Sequence, residues 1–146
     1  MQAQNNYSPL TSHTGRTILK GNFTMDATTE KLVDYAMGVR FEEMSPETIT
    51  ATKHRILDTL GCVAGGYDHP MAVTARTLAN RYTMDTPSTI LGAKGATAAP
   101  EMAAFANGIM LRLMDLSDTY RVQSGGHPSD IIAAVLAAAE IGARDG

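Results

Sequence analysis

Cysteine is nearly absent from this chain: Cys62 stands alone among 146 residues. A single thiol excludes an internal disulfide, and it excludes an iron–sulfur cluster ligated by this chain alone, which needs several thiolates. Clustered cations are missing as well. The 12 Lys and Arg are outnumbered by 15 Asp and Glu, and the formal charge of -3 offers no footprint for nucleic acid. No apolar run reaches the roughly 18 residues that span a bilayer, so neither a nucleic-acid nor a membrane partner is expected. No glycine-rich fingerprint follows a strand, which sets dinucleotide and phosphate binding aside. Internal repeats and heptads are also absent.

Residues 1–25 hold no Asp or Glu, only Arg16 and Lys20, among many Asn, Ser and Thr. Such a segment has too little apolar content to pack, so a disordered leader is expected. Arg and Ser without acids also fit a weak organellar transit peptide, and Met25 fits an internal start. An apolar signal core is lacking. A cytoplasmic protein is expected, with an organellar matrix as the alternative if the leader is a transit peptide.

What remains has the composition of an ordinary globular domain, 44% hydrophobic and 18% charged. Its length suits one domain. From Asp26 onward the apolar period is helical. Leu32, Tyr35, Ala36 and Val39 form one stripe behind a cap at Asp26 or Thr28. Ser45-Pro46 opens a second helix, with Ile49, Ile56, Leu57, Leu60 and Val63 as its buried positions and Gly65-Gly66 as its end. A third helix is predicted over 71–82, using Ala75, Leu78, Ala79 and Tyr82. Thr89-Ile90-Leu91 reads as an extended connector. A fourth helix is predicted over 98–116, and a fifth over 129–143. The fifth is aliphatic on nearly every side except for Glu140, which implies burial all round. Cys62 falls in an apolar stretch and reads as a buried, inert thiol. The fold class is all-α, with about five packed helices over 26–146. The final Gly142-Ala143-Arg144-Asp145-Gly146 reads as a helix end leading onward, so the chain is expected to be an N-terminal portion of something longer.

Polar chemistry concentrates in one run: Asn107-Gly108, Arg112 to Tyr120, and Gly125-Gly126-His127-Pro128-Ser129-Asp130. If the fourth helix continues to Thr119, then at about 100° per residue Arg112, Asp115, Asp118 and Thr119 share one polar face. Phe105, Ile109, Leu113 and Leu116 share the adjoining apolar side. The plain alternative is a solvated Arg112–Asp115 pair at i, i+3, worth a few tenths of a kcal/mol. His127 follows two glycines that allow close backbone approach, and precedes Ser129, read as the cap of the fifth helix. Free amides there favour carboxylates and a neutral imidazole, a usable general base. A purely structural His before Pro is the alternative. Asp-x-x-Asp with His127 lacks a metal-ligand spacing, so no metal site is assigned. His13 lies in the leader, while His54 and His69 lack acidic partners.

These residues resemble the MmgE/PrpD family, which contains 2-methylcitrate dehydratases and cis-aconitate decarboxylases. The matching pieces are Leu57-Asp58-Thr59-Leu60-Gly61-Cys62 with Gly65-Gly66, Ala106-Asn107-Gly108, the run Arg112 to Tyr120, and Gly126-His127-Pro128-Ser129-Asp130. The resemblance runs from about residue 29 to the end. Arg112, where many relatives carry His, and the Gly-His-Pro-Ser-Asp loop are similar to the dehydratase branch. Leu116 and Ser117 depart from the family pattern of an aromatic followed by Asp or Asn.

The resemblance implies a lyase that dehydrates 2-methylcitrate or a similar tricarboxylate without an iron–sulfur cluster or other cofactor, commonly as a homodimer. It implies a large helical domain, of which this is the first part, with further catalytic residues beyond residue 146. His127, Asp115 and Asp118 are the catalytic candidates, and Arg112, Thr119 and Ser129 the substrate-binding ones. His127 would transfer protons and Asp115 would organise Arg112. A cis-aconitate decarboxylase or a dicarboxylate epimerase is the alternative within the family. A non-catalytic helical interaction module or an inactive truncated product is the alternative outside it.

Overall fold

The computed structural model describes residues 8–11, 17–20, 26–121 and 125–144. The chain divides into two compact units, Met1–Met44 and Ser45–Gly146.

In the first unit, strand β1 (Ser8–Thr11) pairs antiparallel with β2 (Thr17–Lys20), placing Ser8 opposite Lys20. This pair falls within residues 1–25. The rest of 1–25 lies outside the described residues. Helix α1 (Ala27–Gly38) starts as expected, with Asp26 Oδ1 accepting the amides of Thr28 and Thr29 at 2.9 and 3.1 Å. Its stripe is a correction: no residue of α1 is buried, and Leu32 and Tyr35 stand exposed. An amphipathic pattern specifies a face; burial also requires something that covers it. A short 3-10 turn, Phe41–Glu43, follows.

The second unit contains α2 (Pro46–Gly66), α3 (Pro70–Ala79), α4 (Pro100–Arg112) and α5 (Ile132–Ile141). Helix α4 is central, and α2, α3 and α5 all pack on it. Pro occupies the first turn of α2, α3 and α4, where its missing N–H costs no helical bond. Ser45 Oγ accepts the Thr48 amide at 3.2 Å and caps α2. His69 caps α3, its Nδ1 accepting the Met71 amide at 3.2 Å, so this histidine has an ordinary structural use.

The core is built from small side chains. Ala72, Ala75, Ala79, Ala98, Ala103, Ala106 and Ala133 surround Ile90, Met110 and Leu111. Small residues let helix backbones approach, and Gly66 shows this most sharply: a Cβ there would lie 2.3 Å from the Met110 carbonyl oxygen. That approach decides which face of α2 goes inward. Thr59, Cys62, Val63 and Gly66 are buried, whereas Leu57 and Leu60, expected inside, are exposed. Burial agrees with the inert reading of Cys62, and pushes its thiol pKa up. Similar corrections apply to α3 and α5. In α3, Ala75 and Ala79 are buried but Leu78 is exposed, and Tyr82 lies beyond the end of the helix and is exposed as well. In α5, only Ala133 and Ala137 are buried, and Val135 and Ile141 face outward.

The expected extended connector does more than connect. Ser88–Thr89 (β3) pairs antiparallel with Thr97–Ala98 (β4). Buried Asn107 on α4 fastens it: its Oδ1 accepts the Leu91 amide at 2.9 Å, and its Nδ2 donates to the Thr89 carbonyl at 3.0 Å. Glu140 accepts the Thr89 amide at 2.6 Å, which explains the one acid in an otherwise aliphatic helix. Two more short strands, Tyr120–Arg121 (β5) and Gly125–Gly126 (β6), pair antiparallel. The fold is thus mostly helical, with five α-helices and three two-stranded pairs among the described residues.

Two glycines in α2 give opposite expectations. Gly66→Ala should lower stability by about 1–3 kcal/mol, because a methyl group must push back the α4 backbone. Gly61→Ala meets nothing within 4 Å and should raise it by about 0.5–1 kcal/mol, through reduced chain entropy. Thermal melts followed by circular dichroism measure both; a Gly66→Ala melt at or above the parent's would contradict the close approach.

Candidate functional site

Helix α4 ends at Arg112, not at 116. Asp115 takes a left-handed backbone with φ 49, which Asp tolerates better than most residues and which stops a helix. The expected polar helix face running to Thr119 therefore does not exist. Its residues meet as a loop instead, with Arg112 at the helix end and Asp118 beyond it.

Two contact groups result. In the first, Arg112 Nη1 donates to Ser117 Oγ at 2.6 Å. The same guanidinium lies 3.5 Å from Asp115 Oδ1 and 3.5 Å from Asp130 Oδ1. Asp115 does pair with Arg112, but its side chain is 87% exposed. This is the solvated i, i+3 pair, worth little to stability.

The second group centres on Asp118, whose side chain is only 11% exposed. Arg55 Nη1, from α2, lies 2.5 Å from Asp118 Oδ2. The Ser129 amide donates to Asp118 Oδ1 at 3.0 Å. The Asp118 backbone carbonyl takes His127 Nδ1 at 2.7 Å. Burial raises the Asp118 pKa, but the Ser129 side chain and amide, together with Arg55, outweigh it and hold the carboxyl below its ordinary value. A carbonyl oxygen can only accept, so His127 Nδ1 carries the proton. In the neutral ring, Nε2 is then the atom with a lone pair.

Ser129 is not a helix cap. It lies inside a 3-10 turn, Pro128–Ile131, that leads into α5, and it is fully buried. The cap role passes to Asp118, which satisfies the amide that the sequence reading leaves free for a ligand. Ser129 Oγ sits beside the Asp118 carboxylate and makes no hydrogen bond of good geometry among the described residues. Gly125 and Gly126 are extended strand, paired with Arg121 and Tyr120 respectively. Thr119 is exposed in the loop.

Asp118, His127 and Ser129 are therefore brought into direct contact, as are Arg112 and Asp115. Adjacency in the chain joins the two groups, through Ser117-Asp118 and Ser129-Asp130. Arg55 is the charged neighbour that sequence reasoning misses. A signal for it exists: Arg55, Thr59, Cys62 and Gly66 follow one helical stripe, and the last three are the buried face of α2. A cation at the end of a buried stripe calls for a partner.

Residues 30–146 match the MmgE/PrpD N-terminal domain. The chain belongs to the MmgE/PrpD family. Among its relatives, human cis-aconitate decarboxylase is 30% identical over 110 residues, covering 75% of this chain and 22% of the relative. The 2-methylcitrate dehydratase of Salmonella typhimurium is 31% identical over 123 residues, and that of Escherichia coli is 31% identical over 110, with the same coverage of 75% and 22%. This MmgE/PrpD chain thus spans about a fifth of the length of the curated relatives it matches. Among the described residues, no helix is long and apolar enough to cross a membrane.

The lowered Asp118 pKa has a pH signature. A carboxyl depressed in the folded state stabilises the fold above its unfolded pKa of about 3.9, and loses that contribution as pH falls through the folded value. Asp118→Asn should therefore melt below the parent at pH 7, with the gap closing at acid pH below the ordinary carboxylate range. Paired melts across pH read this directly; a gap independent of pH would contradict it.

Proposed function

We propose that this chain supplies the N-terminal part of a hydro-lyase site that removes water from 2-methylcitrate or a similar small tricarboxylate, leaving an aconitate-type product. The observation that carries the reading is the setting of His127: Nδ1 is bound at 2.7 Å by the Asp118 carbonyl, which leaves Nε2 for proton transfer. Eliminating water from a β-hydroxy acid needs a base for the C–H proton, an acid for the departing hydroxyl, and cations or N–H donors for the carboxylates. His127 moves the proton in this reading, and Asp118 fixes its ring. Arg112, 38% exposed and loosely paired at 3.5 Å to two carboxylates, has donors to spare for a substrate carboxylate. Thr119 offers its hydroxyl. Ser129 supports the turn through Asp118, and Asp115 tempers the charge of Arg112.

The charges also mark what is missing. Arg55 and Arg112 face Asp115, Asp118 and Asp130, a balance of 2 − 3 = −1. A polyanionic substrate is repelled by such a balance, so further cations belong to parts of the whole protein outside this chain. The 146-residue chain alone is expected to be inactive. The whole protein, by its resemblance, is proposed to work as a cytoplasmic homodimer.

Steady-state formation of unsaturated acid from 2-methylcitrate and citrate, and carbon dioxide release from cis-aconitate, test the reading in the whole protein that carries this chain. Dehydration of 2-methylcitrate is expected, with a loss on the order of 10²- to 10⁴-fold in His127→Ala and a smaller loss in Asp115→Asn. Equal rates in all three proteins would sink the site. Turnover of cis-aconitate alone would favour the decarboxylase reading.

A further inference from the structure

We propose that Arg55 is a positioning residue for His127, acting across the fold through Asp118. The residue is absent from the polar run around His127 and lies 63 positions before its partner, on a different helix. Three observations converge on it. Arg55 Nη1 holds Asp118 Oδ2 at 2.5 Å, and Arg55 is more exposed than the carboxylate it serves, 42% against 11%. Asp118 passes the constraint on twice, through Oδ1 to the Ser129 amide and through its carbonyl to His127 Nδ1. Arg55 also lines an apolar groove between α2 and α5 together with Ile56, Ile132 and Pro128, the residue that follows His127.

The physical consequence is specific. Residues 113–119 form no regular helix or strand, so backbone hydrogen bonding does not lock the Asp118 peptide. Without the cation, a nearly buried carboxylate carries uncompensated charge and gains by turning toward water. Rotation of Asp118 takes its carbonyl away from Nδ1. A neutral imidazole freed in that way reverts to the mixture found in water, in which the Nε2–H form predominates. The proton then sits on the atom that the proposed function needs as acceptor. The inference rests on that function only for its catalytic meaning; the link itself stands without turnover.

The test reads the His127 ring by ¹⁵N chemical shifts in the 146-residue chain, alongside its amide spectrum and melting temperature. The parent is expected to show the Nδ1–H form near neutral pH. Arg55→Met should move His127 toward the Nε2–H form while the amide spectrum stays dispersed, and Arg55→Lys should restore the parent pattern. Arg55→Gln leaves the same Asp118 carboxylate uncompensated with a smaller loss of packing and polarity. It is expected to reproduce the Arg55→Met change, and it decides the matter if Arg55→Met does not fold. A parent without the Nδ1–H form, or a folded Arg55→Met or Arg55→Gln with the parent pattern, would overturn the proposal. Because no activity is measured, failure here is distinct from failure of the dehydratase reading.

Discussion

The Asp118 carboxylate is held from two sides, by Arg55 on α2 and by the Ser129 amide in the turn before α5, while its own carbonyl holds His127. Burying a carboxylate is unfavourable unless it is paired and hydrogen-bonded. Here both oxygens are engaged, and the charged form is favoured over the neutral one. The result is a staple: one side chain joins a helix, a loop with no regular structure, and the turn that carries the candidate general base. Without it, nothing described would fix the His127 ring.

The staple depends in turn on how closely α2 and α4 pack. Gly66 lies against the Met110 carbonyl, and Leu113 borders the same spot where α4 ends. That approach turns the stripe of Thr59, Cys62 and Gly66 inward and brings Arg55, on the same stripe, to the loop after α4. The small-residue core and the site are therefore one constraint seen at two ends. Alanine-rich packing gives little side-chain volume, but it fixes helix separation tightly, and a contact between groups on two helices needs that precision.

Much of the helical skeleton is legible in the sequence, because its signals are local. Ser45-Pro46 and Asp26 cap the helices they precede, and Pro100 opens α4. The buried faces are less legible. A large apolar residue such as Leu57 outweighs Thr59 in any hydrophobic pattern, yet the approach of two backbones selects the smaller one. The site is legible as a group of residues and misread as a geometry. Asp118, His127 and Ser129 gather in one group and Arg112 with Asp115 in another, through a loop where the periodicity predicts a continuous helix. The cause is the left-handed Asp115, whose conformation is decided one residue at a time. Arg55 escapes notice because an ion pair spanning 63 positions leaves no periodic trace.

The central claim is that Asp118 binds the loop and the His127 turn into one unit. Native-state hydrogen exchange at the Ser129 amide tests it most directly. The account predicts that this amide exchanges as slowly as the buried amides of α4, and that Asp118→Ala releases it while the α4 amides stay protected. A Ser129 amide that exchanges at the rate of open loop residues in the parent, or that is unaffected by Asp118→Ala, would contradict it.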